Sequence, residues 1–164
     1  MSHIAFIALG SNLDDPQRHI RQGFIDLGAL PQTHLSGQSR LYRSAPVGYA
    51  HQPDFINAVA RIDTGLAPEA LLDALLAIEA RHGRQREFPN SPRTLDLDIL
   101  LYDDCLLHSA RLTIPHPRMG NRDFVLRPLH ELAPNLLVPG LGPLSLLLNQ
   151  CQSQQAFPLE ASVS

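Results

Sequence analysis

Lysine is absent from the 164 residues, and all 13 basic side chains are arginine. A phosphate-binding P-loop, a protein-kinase site and Schiff-base catalysis each require a lysine, so all three are excluded. Any phosphate this chain handles is held by arginines, backbone amides or metal. Cysteine is scarce: Cys105 and Cys151 stand alone without metal-ligand spacing. Neither a disulfide framework nor a cysteine zinc site is expected, and a reducing cytoplasmic setting is. No run approaches the roughly 20 apolar residues that span a bilayer, and no basic segment with a cleavage site opens the chain. Positive charge is not in excess, since 13 basic against 16 acidic residues gives a net charge of −3. That argues against a nucleic-acid or anionic-membrane partner. Internal repeats and long low-complexity linkers are also missing.

What is present suits one globular domain over residues 1–164, with 44% apolar and 18% charged residues. A chain of this length buries roughly 70% of its unfolded surface. His3 to Leu9 is a near-continuous apolar run before Gly10-Ser11-Asn12, the pattern of a buried strand and a turn. Asp14, Asp15 and Pro16 open a helix with Ile20, Phe24, Ile25 and Leu27 on its apolar face, stopped by Gly28 and Pro31. Strands are expected over Leu35 to Arg43 and Phe55 to Ile62, around a Pro- and Gly-containing loop from Ser44 to Asp54. Pro68 to His82 is the clearest helix, with Gly83 just after it. Arg84 to Arg93 reads as a loop, Leu95 to Tyr102 as a strand, and Asn121 to Leu132 and Pro143 to Gln150 as helices. Cys151 to Ser164 reads as a weakly ordered tail. The order predicts an α+β, ferredoxin-like fold: a largely antiparallel sheet with helices packed on both faces.

Four features bear on chemistry. In Arg93-Thr94-Leu95-Asp96-Leu97-Asp98-Ile99, a strand puts Asp96 and Asp98 on one face. The pair is either a solvated acidic edge or the carboxylate half of a Mg²⁺ site completed by substrate phosphates. Eight arginines fall between positions 81 and 127. They are surface ion-pair partners of Glu79, Glu87, Asp123 and Glu131, or bidentate ligands for a polyphosphate. Arg81 and Arg127 fit the ion-pair reading, because each lies on a predicted helix with acidic neighbours. In Ile114-Pro115-His116-Pro117-Arg118, prolines stiffen the loop around His116, a turn residue or a phosphate donor. The other seven histidines show no ligand spacing and read as surface or structural. Ser44, Phe55 and Asn57 are strand and core residues, or a site for a flat heteroaromatic ring. Gly10-Ser11-Asn12 is a helix-capping turn or a backbone approach to ligand.

Taken together these blocks resemble the 6-hydroxymethyl-7,8-dihydropterin pyrophosphokinase family of folate biosynthesis over about Ile4 to Gln150. The most specific block is Pro92-Arg93-Thr94-Leu95-Asp96-Leu97-Asp98. Gly10-Ser11-Asn12-Leu13, Gln52-Pro53-Asp54-Phe55-Ile56-Asn57-Ala58, Pro115-His116-Pro117-Arg118-Met119 and Arg122-Asp123-Phe124-Val125-Leu126 follow in family order. The resemblance implies Mg²⁺-dependent transfer of diphosphate from ATP to the pterin hydroxymethyl group, releasing AMP. It implies that Asp96 and Asp98 hold two Mg²⁺ ions and that Asp96, Asp98, Arg84 and Arg93 are catalytic. ATP would be bound by Glu79, Arg84, Arg86, Arg93, Ile99, Arg111, His116 and Arg122. The pterin would lie among Ser44, Ala45, Pro46, Val47, Phe55, Asn57 and Phe124, with Phe55 and Phe124 sandwiching the ring. A cytoplasmic monomer acting on small molecules is expected. Many relatives carry a tryptophan in the loop before the signature, where this chain has Phe88-Pro89-Asn90-Ser91 and no tryptophan anywhere. The alternatives are another Mg²⁺-dependent phosphoryl or nucleotidyl transferase, or a non-catalytic ferredoxin-like ligand-binding module.

Overall fold

The first strand, β1 (His3–Ser11), separates two sets of side chains. Ala5, Ile7 and Leu9 pack into one core, while Phe6 and, partly buried, Ala8 pack into a second core on the opposite face. A computed structural model of the chain describes residues 2–13, 15–44, 53–83, 94–151 and 157–159. After β1 come α1 (Pro16–Gly28), β2 (Thr33–Gln38), β3 (Tyr42–Ser44), β4 (Phe55–Thr64), α2 (Pro68–Arg81) and β5 (Asp96–Tyr102). Two short hairpin strands, β6 (Leu107–His108) and β7 (Thr113–Ile114), precede a 3₁₀ turn at Met119–Asn121 and α3 (Asp123–Leu132). The chain continues through β8 (Leu137–Val138), β9 (Gly142–Pro143), α4 (Leu144–Gln150) and β10 (Phe157–Pro158).

The main sheet runs β10-β3-β4-β1-β5, with β2 also on β4, and every pairing in it is antiparallel. With α1 and α2 on one face and α3 and α4 on the other, this is the expected ferredoxin-like α+β arrangement. Both long helices follow from their sequences. Each has Pro in its first turn, and Ile20, Phe24 and Leu27 or Leu71, Leu75 and Ile78 are buried at helical spacing. Burying each such side chain contributes about 1.5–3 kcal/mol. Gly23 lets α1 sit close to the sheet, because a Cβ there would lie 2.9 Å from Leu9 Cδ2. Among the described residues no helix is long and apolar enough to cross a membrane.

Two local differences from the sequence reading have physical causes. The strand expected over Leu35 to Arg43 is two strands, because Ser39 interrupts the ladder with its side chain. Its backbone N–H donates to the Val59 carbonyl, and its hydroxyl oxygen accepts the Val59 N–H, both at 2.9 Å. Within the stretch read as a weakly ordered tail, Phe157 and Pro158 pair with Arg43 and Tyr42, and the Leu159 N–H donates to the Leu41 carbonyl at 2.9 Å. The loop expected at Arg84 to Arg93 lies outside the described residues.

Candidate active site

Register across the sheet brings the sequence-selected residues to one face. Tyr42, Asn57, Gly10 and Asp96 stand opposite one another on β3, β4, β1 and β5, and Val59, Ala8 and Asp98 form the next row on β4, β1 and β5. The β1 residues on this face shrink from Phe6 to Ala8 to Gly10. Phe6 fills the core under α3, whereas Ala8 and Gly10 leave the sheet uncovered. A cleft open to solvent lies there, with Ala8, Gly10, Leu100 and Val125 among its lining residues. Ser44, Phe55, Asn57, Asp96, Asp98, His116, Arg122 and Phe124 line the same cleft.

The polar groups of the cleft are held by one another and by neighbouring residues. Asn57 Nδ2 donates to Ser44 Oγ at 2.7 Å, and both residues are buried. Tyr42 Oη donates to Glu131 Oε1 at 2.7 Å, tying β3 to the end of α3. Burial and the Glu131 carboxylate push the Tyr42 hydroxyl above the usual tyrosine range. Arg122 precedes α3 and sets its guanidinium 5.5 Å from the centre of the Phe124 ring, a cation–π contact that orients both.

His116 owes its place to an irregularity in β5. Ile99 pairs with Ile7 and Leu101 with Phe6, so Leu100 is an extra residue in the ladder. The Leu100 carbonyl accepts the His116 N–H at 3.0 Å. His116 Nδ1 accepts the Arg118 N–H at 3.2 Å, so the neutral ring carries its proton on Nε2. Burial, then Arg122 and Arg118, hold the ring below the usual histidine range against the opposite pull of Asp96. His116 is therefore a neutral N–H donor at neutral pH.

Not every residue that the resemblance suggested meets the cleft. Arg111 is half-exposed and paired with Glu69 at 3.3 Å and Asp73 at 2.5 Å on α2. Ile99 buries its side chain in the α1–α2 core. Glu79 is buried, and its Oε2 accepts the Leu97 N–H at 2.7 Å. None of the three is among the lining residues. Arg84, Arg86, Arg93, Ala45, Pro46 and Val47 lie outside the described residues. Arg127 pairs with Asp123 at 3.2 Å along α3, the ion-pair reading. Two histidines read as structural meet across α1 and α2: His19 Nδ1 lies 2.7 Å from His82 Nδ1, and His82 Nε2 lies 2.9 Å from Asp26 Oδ2.

Sequence reasoning did not assign Ala8, nor did it weigh Gly10 as the floor of a cleft. The signal was available in β1, where large apolar residues give way to small ones on one face only. The placement of Glu79 was legible too. It falls eight residues after Leu71, on the buried stripe of α2 where a carboxylate is out of place.

The 7,8-dihydro-6-hydroxymethylpterin-pyrophosphokinase (HPPK) family matches residues 6–134. A relative from Pseudomonas aeruginosa named 2-amino-4-hydroxy-6-hydroxymethyldihydropteridine pyrophosphokinase is 50% identical over 146 residues, 89% of this chain and 90% of the relative. One of the same name from Haemophilus influenzae is 46% identical over 155 residues, 94% of this chain and 97% of the relative. The crystal structure of wild-type Plasmodium falciparum HPPK-DHPS matches with a TM-score of 0.72 at 15% identity, over 92% of this chain. This chain spans only 45% of that longer protein, so the likeness speaks for the fold alone. On the family match and these identities, the chain belongs to the 7,8-dihydro-6-hydroxymethylpterin-pyrophosphokinase family.

Proposed function

We propose that this chain catalyses Mg²⁺-dependent transfer of diphosphate from ATP to the hydroxymethyl group of 6-hydroxymethyl-7,8-dihydropterin, giving AMP and the pterin diphosphate. The observation that carries the reading is that the residues assigned by the resemblance to the ring and to the phosphates line one cleft. Ser44, Phe55 and Asn57 come from β3 and β4, while Asp96 and Asp98 come from β5 with His116 and Arg122 beside them. Two strand spacings, about 10 Å, separate β4 from β5. A flat bicyclic ring laid beside Asn57 then extends its one-carbon arm toward the carboxylates.

The donor set fits magnesium held jointly with substrate. Among the described residues no group of three or more His, Cys, Asp or Glu side chains forms a metal cage. Two aspartates on one strand face suit a hard cation that takes its remaining oxygens from phosphate and water. Asp96 and Asp98 would hold the two Mg²⁺ ions, which when bound neutralise the triphosphate and orient the reacting oxygens.

The chain's own groups divide the remaining work. Phe55 and Phe124 stack on the ring, and Asn57, oriented by Ser44, reads its polar edge. Arg122 and the His116 Nε2–H bind phosphate oxygens, with Arg84 and Arg93 assigned there by the resemblance. The hydroxymethyl oxygen bonds to the β-phosphorus as the bridge to the α-phosphate breaks and AMP departs. The hydroxyl proton passes to the Asp98 carboxylate or to water beside it.

³¹P NMR of the protein with ATP, Mg²⁺ and the pterin tests the reading. AMP and a new diphosphate ester, both requiring metal and pterin, are expected, with loss of turnover in Asp96→Ala or Asp98→Ala. ADP with a monophosphate ester would indicate a different phosphoryl transferase. Nucleotide binding without turnover would indicate a binding module.

A further inference from the structure

Asp96 lies between two buried side-chain anchors that take no place in the cleft lining. On one side the Ser11 hydroxyl, from the end of β1, donates to the Thr94 carbonyl. On the other the Glu79 carboxylate, from α2, accepts the Leu97 N–H at 2.7 Å. Ser11 is 0% and Glu79 3% exposed. Antiparallel ladders alternate inward and outward amides. Among the described residues β5 is the last strand of its sheet, so an outward Leu97 amide meets the Glu79 carboxylate rather than a further strand. Asp96 and Asp98, on either side of Leu97, then turn their own backbone groups toward Gly10 and Ala8 of β1. Residues 94–97 are thereby tied to β1 through Ser11 and to α2 through Glu79.

Burying a carboxylate is costly. Its value here is directional, because the bond fixes the peptide joining the two halves of Asp96-Leu97-Asp98. We propose that Ser11 and Glu79 are positioning residues that brace this segment and hold the Asp96 and Asp98 carboxylates at the spacing a cation requires. The inference rests on reading those aspartates as the cation-binding pair. It gives Gly10-Ser11-Asn12 a role in shaping the site, and it has Glu79 act through the strand rather than on the nucleotide.

The test compares Glu79→Ala, Glu79→Gln and Ser11→Ala in the full chain. It reads Mn²⁺ binding by electron paramagnetic resonance with α,β-methylene ATP, metal-free affinity for that analogue, and amide exchange at Leu97. Each Ala variant is expected to lose about 10- to 100-fold in Mn²⁺ affinity, the usual effect of removing a group that orients a ligand. Leu97 should exchange faster in Glu79→Ala, and metal-free analogue affinity should stay within about twofold. Glu79→Gln keeps an acceptor for Leu97 and is expected to bind Mn²⁺ within about threefold of the parent. Unchanged Mn²⁺ affinity in the Ala variants would overturn the proposal. So would a loss of metal-free analogue affinity in Glu79→Ala, which would make Glu79 a nucleotide contact. A Glu79→Gln protein that loses Mn²⁺ with Leu97 still protected would overturn it in favour of charge alone. If Glu79→Ala does not fold, Glu79→Gln and Ser11→Ala decide. A parent protein that binds no Mn²⁺ overturns the brace together with the cation site. One that binds Mn²⁺ but transfers no diphosphate overturns only the activity, and the Mn²⁺ comparison still decides the brace.

Discussion

Asn57 reaches diagonally from β4 to β3 to donate its amide to Ser44 Oγ at 2.7 Å, with both residues buried beside the cleft. Their register partners are Tyr42 for Asn57 and Phe55 for Ser44, so the bond crosses the row rather than following it. The hydroxyl thereby fixes which way the Asn57 amide presents its oxygen to the cleft.

Removing that hydroxyl should therefore weaken the pterin more than the fold. Ser44→Ala is expected to cost about 0.5–1.5 kcal/mol of stability. Pterin affinity should fall by about two- to tenfold while metal-free ATP affinity holds. Isothermal titration with each ligand checks this, and equal losses for both would place the effect in the fold instead.

How much of this was legible beforehand varied with the length of the signal. β1, β4, β5, α1 and α2 each span 7 to 14 residues, with prolines at both helix starts, and the sequence patterns located all five. The two-residue strands β6 to β10 are too short to show a period. The break between β2 and β3 depends on the Ser39 hydroxyl replacing a backbone carbonyl, which no hydropathy pattern records. For the site, alternation alone put Asp96 and Asp98 on one face. Their meeting with Asn57 and Phe124 depends on strand order, which periodicity does not give; the family resemblance grouped these residues without it. The extra residue at Leu100 that places His116 was hidden inside an apolar run from Ile99 to Tyr102.

Gly10 offers a way to close the cleft without touching the carboxylates. A Cβ there would stand 3.5 Å from Asn57 Oδ1 and 3.9 Å from Phe55 Cδ1, both ordinary contacts. The strand has room for an added Cβ, and β-branched residues favour strands. Gly10→Val should thus fold with a melting temperature within about 4 °C of the parent. Its γ-methyls would occupy the floor between Asn57 and Asp96, so pterin affinity should drop at least about tenfold, roughly 1.4 kcal/mol. Fluorescence titration with the pterin, beside a thermal melt, separates this from misfolding. Unchanged affinity would remove Gly10 from the binding surface.

His116 supplies a pH signature whose sign is fixed by its surroundings. Burial and the guanidinium groups of Arg122 and Arg118 lower its pKa from 6.5. In the unfolded chain the ring binds its proton near pH 6.5, whereas the folded ring resists until lower pH. Between those two values the unfolded state holds the extra proton. The contribution to stability is therefore present above about pH 6.5 and is lost as the pH falls through the folded value. His116→Gln should flatten that acid-side loss, seen as a smaller drop in melting temperature between about pH 7 and pH 5. Bound nucleotide should reverse the shift, because a triphosphate adds negative charge beside the ring and offsets the two arginines. Histidine ring resonances followed by NMR should show His116 titrating below the usual range in the free protein and at higher pH with α,β-methylene ATP bound. A titration that ignores the nucleotide would take His116 out of contact with phosphate and leave Arg122 to hold that end of the cleft without it.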